Sequence, residues 1–160
     1  HDFDLARFYA GNDEFESIFA TGQRFSDRKL KKINDLDLAT VIMKIKKGVQ
    51  CIITNSRHRS FGYDQRIELF GSKGMIISDN QRDLETVLYS KNSTDNKTQL
   101  KNFFIERYSE AYKIQLDDLV KICTNNAKPL ANFDDGWKAL ILANGAKASL
   151  NSKKFEKVIF

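Results

Sequence analysis

Residues Leu38 to Ile45 alternate without a break. Ala39, Val41, Met43 and Ile45 point one way, and Leu38, Thr40, Ile42 and Lys44 the other. Successive side chains of an extended chain face opposite ways, so a run of period two predicts a β-strand rather than a helix. Lys47-Gly48 supplies a turn, and Val49 to Asn55 follows as a second apolar, β-branched run, which predicts a hairpin. Both faces of the first strand carry apolar groups, since Leu38 and Ile42 oppose Val41 and Met43. Such a strand needs cover on both sides. Helices of the same chain cover one face, and a second copy of the chain is the expected cover for the other.

The rest of the chain supports a layered α+β fold. Asp2 to Ala10 reads as a short amphipathic helix, with Leu5, Phe8 and Tyr9 on one face, acids at its start and Gly11-Asn12 as its C-cap. Residues 15–25 read as a strand and 26–35 as a polar loop. Gln65 to Phe70 is a further alternating run, and Gly71-Ser72-Lys73-Gly74 turns the chain into Met75-Ile76-Ile77. Leu84 to Tyr89 alternates again, and Lys91 to Thr98 reads as a polar loop tip. From Asn102 to Thr124 the apolar positions Ile105, Tyr108, Tyr112, Leu116, Leu119 and Cys123 step by three or four, which predicts one long helix ended by Asn125-Asn126. After the extended Lys128-Pro129-Leu130 segment, Asp134-Asp135 opens a second long helix whose stripe is Ala139, Leu142, Ala146 and Leu150. Phe155 to Phe160 reads as a closing strand. Hairpin-linked strands followed by segregated helices imply a large open, mostly antiparallel (mixed) sheet with helices on one face and subunit packing on the other.

Composition excludes several classes. The net charge is +5, but the Lys pairs at 31–32, 46–47 and 153–154 each sit beside a turn. No basic face interleaved with stacking aromatics is present, so no nucleic-acid partner is expected. No stretch approaches the roughly 18 apolar residues of a membrane span. Cys51 and Cys123 have no CxxC neighbour and no His at ligand spacing. No metal is expected, and both cysteines read as small core hydrophobes in a reducing, cytoplasmic compartment. GxGxxG, GxxxxGK[ST], GxSxG and HExxH are all absent. Gly71-Ser72-Lys73-Gly74 reads as a turn between strands, and His58, within Arg57-His58-Arg59, as a loop histidine. The chain opens at His1 without a Met, so a piece of a longer protein, or a processed one, is expected.

Two segments carry a resemblance. His1-Asp2-Phe3-Asp4-Leu5-Ala6-Arg7-Phe8 is similar to the His-Asp-x-Asp-x-x-Arg segment of the glucose–fructose oxidoreductase/inositol dehydrogenase/MocA family. Asn55 to Met75, with Gly62-Tyr63-Asp64-Gln65-Arg66 leading into Glu68-Leu69-Phe70-Gly71-Ser72-Lys73-Gly74, resembles the run typical of the family's inositol 2-dehydrogenases. Phe104 to Tyr112 and Asp134-Asp135-Gly136 with Lys138-Ala139-Leu140 also match, so the likeness covers nearly all 160 residues. Gln115 departs from the glutamate of many relatives and His58 from their usual arginine.

The resemblance implies a fold, a division of labour and a set of roles. Residues 1–160 are then the substrate-binding and oligomerisation domain of an NAD-dependent (or NADP-dependent) oxidoreductase. The N-terminal Rossmann domain, with the catalytic lysine and the aspartate that precedes His1 in the family, lies outside this chain. His1 maps to the general base that takes the proton of a substrate hydroxyl while hydride leaves for the nicotinamide. An imidazole titrating near neutral pH suits that exchange. Asp4, one helical turn on, and Tyr63, after flexible Gly62, map to substrate-binding positions for a cyclic polyol such as myo-inositol. The expected assembly is a homo-oligomer, dimer or tetramer, packed through the sheet face. The chain alone is expected to be inactive, because hydride transfer needs cofactor and substrate held at roughly 3–3.5 Å. Two other readings stay open: a sugar dehydrogenase of the same family, and a non-catalytic dimerisation or interaction module.

Overall fold

The Leu38–Ile45 run is the second strand of a four-stranded antiparallel sheet, just as its alternation requires. The computed structural model describes residues 1–11, 15–26, 28–58 and 60–160. Asn12 and Arg59, both singled out in the sequence, lie outside them. The elements in chain order are helix α1 (Asp2–Tyr9), β1 (Phe15–Gln23), β2 (Leu38–Ile45), β3 (Gln50–Ser56), β4 (Ile67–Gly71), β5 (Gly74–Ser78), β6 (Val87–Ser90), β7 (Ser93–Lys97), α2 (Phe104–Arg107), α3 (Ser109–Asn125), α4 (Phe133–Ser152) and β8 (Glu156–Lys157). The chain divides into two units, one of residues 1–58 and 129–160, the other of residues 59–128.

The first unit holds the sheet, in the order β3-β2-β1-β8. Its register places Ile18 opposite Met43 and Met43 opposite Cys51, with Ala20, Val41 and Ile53 as the next row on the same face. That face is the core. Ile18 and Met43 are fully buried, as is Leu142 of α4, and Phe15, Val41, Ile45, Ala146 and Val158 close around them. Helix α4 lies so near β1 that a Cβ on Gly145 would stand 2.9 Å from Ile18 Cγ2. A larger residue there would push the helix off the sheet. The opposite face carries the row Phe19–Ile42–Ile52 and stays open, with Ile52 64% exposed. Phe155 leans on Phe19 there at 5.3 Å between ring centres.

Two polar groups make the sheet's irregular edges possible. β8 pairs with β1 only at Ser17 and Ile18. Just beyond, the Ala20 N–H donates to the buried Ser149 Oγ of α4 (3.0 Å), and Ser149 donates onward to the Lys154 carbonyl (2.6 Å). One hydroxyl thus completes a strand edge and holds the segment after α4. At the β1–β2 connection the buried Asp37 carboxylate accepts from Phe25 N (2.6 Å), Ser26 N (2.7 Å) and Ser26 Oγ (2.8 Å).

Several expectations need correction. Helix α1 buries Arg7 and packs Phe3 and Ala6, with Ala10 just after it, against the core, rather than presenting a face of Leu5, Phe8 and Tyr9; Phe8 is 75% exposed and Tyr9 43%. Arg7 turns inward and pairs with Asp135 of α4. Residues 28–33 of the expected loop form a 3-10 turn. The polar Ser93–Lys97 segment is a strand paired with β6, because a hairpin partner supplies its backbone bonds whatever its side chains. The long helix is interrupted at Tyr108, whose φ/ψ of −110°/15° leaves the α region. The closing strand shrinks to Glu156–Lys157.

In the second unit β4–β5 and β6–β7 are separate antiparallel hairpins, turned by Ser72-Lys73 and by Lys91-Asn92. All buried hydrophobic residues among those described belong to the first unit. Cys123, expected in a core, is therefore exposed on α3, whereas Cys51 packs against the core of the sheet and burial raises its thiol pKa. No helix among the described residues is long and apolar enough to cross a membrane.

Candidate functional site

The residues expected to act on substrate sit on two supports. The first is α1. His1 is its N-cap residue and accepts the Leu5 N–H on its carbonyl at 2.9 Å, while its side chain makes no capping bond and is exposed. Asp4 lies three residues on, so the two share one helix face. The Asp4 side chain is 46% exposed. Acids in a first turn complement the unpaired N–H groups there, so Asp2 and Asp4 favour helix formation as well as any chemistry.

Helix α1 is tied down at both ends. Asn55 Nδ2, near the end of β3, donates to Asp2 Oδ2 at 2.8 Å. Arg7, 8% exposed, donates through Nη1 to Asp4 Oδ1 (3.4 Å) and to the Asp135 carbonyl (3.0 Å), and through Nη2 to Asp135 Oδ1 (3.2 Å). Asp135 is also half of a capping box. Asn132 Oδ1 accepts from Asp134 N and Asp135 N, and Asp135 Oδ2 accepts from Asn132 N at 2.9 Å. That backbone bond, with the Arg7 guanidinium beside it, lowers the Asp135 pKa.

The second support, within the other unit, is the loop before β4. Gly62 adopts φ +113°, and a Cβ there would meet Leu100 Cβ at 2.7 Å, so only glycine fits this close approach. Tyr63 N then donates to the Lys101 carbonyl at 2.8 Å, and the half-buried Tyr63 ring meets Tyr108 edge to face, with centres 5.6 Å apart. Asp64 accepts from Arg66 Nε (2.7 Å) and Nη2 (3.0 Å) and from Asn80 Nδ2 (2.7 Å), while Gln65 N donates to Asn80 Oδ1 (2.7 Å). The Arg66 bond lowers the Asp64 pKa. Tyr108 donates to Gln65 Oε1. The Gly-Tyr-Asp-Gln-Arg run is therefore a self-braced loop that holds one phenol.

His1 and Asp4 come together on α1, and Tyr63 is braced separately in its own unit. Reading the sequence missed the braces: Arg7, Asp135, Asn55, Asn80 and Tyr108. Two were detectable. Arg7 stands three residues from Asp4, and Asn132-x-x-Asp135 has capping-box spacing. His58 is exposed after β3, and its N–H donates to Ser56 Oγ at 3.2 Å. Among the described residues no group of three or more His, Cys, Asp or Glu is placed to hold a metal. The Gly71–Gly74 segment is a hairpin turn rather than a phosphate loop.

Comparison with known proteins agrees with this architecture. The family model for the GFO/IDH/MocA C-terminal domain matches residues 1–77. The chain is 41% identical to the myo-inositol 2-dehydrogenase of Thermotoga maritima across 99% of its own length and 48% of that protein. It is 36% identical to the inositol 2-dehydrogenase of Rhizobium meliloti, across 96% of the chain and 46% of the relative. The crystal structure of a myo-inositol dehydrogenase from Corynebacterium glutamicum superposes with a TM-score of 0.91 at 36% identity, covering 100% of this chain and 47% of that one. The chain thus spans about half the length of the curated relatives it matches. Helix α1, strands β1 to β3 and the Tyr63 loop thus lie in the stretch that matches the GFO/IDH/MocA C-terminal domain, and nearly the whole chain is similar to part of inositol 2-dehydrogenases.

Proposed function

We propose that the intact protein is an NAD-dependent oxidoreductase that oxidises a ring hydroxyl of myo-inositol or a related cyclic polyol to the ketone. Residues 1–160 act as its substrate-binding and oligomerisation domain, and the nucleotide is held by a Rossmann domain outside them. The observation that carries this reading is the 41% identity to a myo-inositol 2-dehydrogenase over 99% of the chain. The donor set of α1 fits the chemistry: an exposed imidazole and a half-exposed carboxylate one turn apart. NAD, when bound, supplies the hydride acceptor.

The chain's own residues handle the proton and the orientation. His1 accepts the proton of the reacting hydroxyl as the C–H hydride leaves the same carbon and the C=O bond forms. Asp4 holds a neighbouring hydroxyl, the carboxylate as acceptor, and the Tyr63 phenol is a further substrate-binding group that can donate or accept. An unmatched buried hydroxyl costs about 1–3 kcal/mol, so paired groups of this kind distinguish a polyol from its deoxy analogues. The open Phe19–Ile42–Ile52 face is the proposed self-association surface, giving a dimer or tetramer. A cytoplasmic setting suits its two free cysteines.

The test is a coupled comparison. The intact protein is assayed by NADH formation against a panel of inositols and aldoses, beside its His1→Gln variant. Inositol turnover that falls on the order of 100-fold or more in the variant supports the reading. Preference for an aldose would move the substrate to a sugar within the same family, and no turnover of any panel member would leave only the interaction-module reading.

A further inference from the structure

We propose that Arg7 is a positioning residue, which sets the Asp4 carboxylate and the rotation of α1 against the capping box of α4. The proposal rests on the reading that α1 carries the substrate-binding groups. Arginine on a short surface helix ordinarily reaches out to water. Here its side chain is 9% exposed, although the same helix leaves the apolar Phe8 75% exposed. Burying a guanidinium is costly unless its donors are matched, and a buried ion pair seldom stabilises a fold more than an apolar side chain of the same size would. The arrangement therefore serves geometry better than it serves stability.

The geometry forms one continuous path. Leu142, Ala146 and Ser149 pin α4 to the sheet. Its first turn fixes Asp135, because the same carboxylate that closes the capping box at Asn132 N (2.9 Å) receives Arg7 Nη2 (3.2 Å). Arg7 Nη1 then bridges the Asp135 carbonyl (3.0 Å) to Asp4 Oδ1 (3.4 Å). Asp135 cannot swing away without opening the cap of α4, so Arg7 has one seat. With Arg7 turned inward, Asp4 falls at the margin of the buried face and His1 on the exposed side. A flat guanidinium spreads its donors in a rigid fork across separated acceptors, whereas a lysine ammonium is a compact point charge on a flexible stem.

The experiment uses the intact enzyme with NAD and inositol and compares R7M, R7K, D4N and the double variant D4N/R7M. R7M is expected to raise the KM for inositol on the order of 10–100-fold with the KM for NAD within about twofold, and R7K to recover only part of the loss. In the D4N background R7M should add less than about threefold, because the group it positions is already altered. Should R7M fail to fold, D135N is read the same way, through a rise in inositol KM that vanishes in the D4N background. An R7M effect as large in D4N as in the parent, or an inositol KM unchanged in R7M, overturns the proposal alone. A D4N variant with unaltered inositol kinetics overturns the site reading and this proposal with it.

Discussion

Replacing Ser149 by Ala should release the edge of the sheet where β8 stops. The Ser149 hydroxyl is fully buried and accepts the N–H of Ala20, itself only 4% exposed. In Ser149→Ala that N–H has no partner and no water, a loss of about 1–3 kcal/mol. The Lys154 carbonyl also loses its 2.6 Å donor, but Lys154 is exposed, so water replaces most of that bond, and the loss is at most about 0.5–1.5 kcal/mol. Ala is the better helix former by about 0.5 kcal/mol, which offsets part of this in α4. The net destabilisation is about 1–4 kcal/mol. Amide hydrogen exchange reads it locally. At tenfold per 1.4 kcal/mol, protection of the Ala20 amide should fall on the order of 10- to 1,000-fold, while Ser149→Thr, which keeps the hydroxyl, falls less. An Ala20 amide that exchanges equally slowly in Ser149→Ala would refute the reasoning, since the hydroxyl would then not be its partner.

Other perturbations follow from the same contacts. Leu142→Ala empties the centre of the core and should cost about 2–5 kcal/mol, read as a lower urea midpoint at unchanged m-value; a loss below about 1 kcal/mol would place Leu142 outside the tight part of the core. Gly62→Ala meets both the positive φ and the 2.7 Å approach to Leu100 Cβ, so the Tyr63 loop should shift, at a strain of about 1–3 kcal/mol; an unaltered loop in a crystal structure of the variant would refute this. Asp135 has a lowered pKa, so its contribution to stability is complete above its ordinary value of 3.8 and is lost as the pH falls through the lower, folded value. Asp135→Asn should therefore be less stable than the parent at neutral pH, with the gap closing in acid below about pH 4. A gap that stayed constant down to pH 2 would contradict the ion pair.

What was legible in the sequence divides along physical lines. β2 was read to the residue because one of its faces is buried, so burial enforces the alternation of Val41, Met43 and Ile45. The β4–β5 hairpin was legible because Gly71 and Gly74 bracket its two-residue turn. The stripe of α4 was found approximately, but Ser149 occupies a core position that a hydrophobic pattern does not reveal, since its hydroxyl is matched by backbone. Helix α1 was placed correctly and turned wrongly. Its buried residue, Arg7, pairs with Asp135, 128 residues away, and no local pattern contains that pair. Ser93–Lys97 was missed because its strand is specified by a partner rather than by its own side chains. The candidate site was legible as motifs, whereas the hydrogen bonds that give those motifs a shape required the fold.

The central claim of the proposed function is that His1 and Asp4, together on α1, serve one substrate. A crystal structure of the intact protein with NAD and inositol tests it most directly. The account predicts His1 within hydrogen-bond reach, roughly 2.6–3.2 Å, of the hydroxyl on the carbon facing the nicotinamide, with Asp4 on a neighbouring hydroxyl of the same ring. An inositol bound out of reach of His1, or making no contact with Asp4, would contradict it.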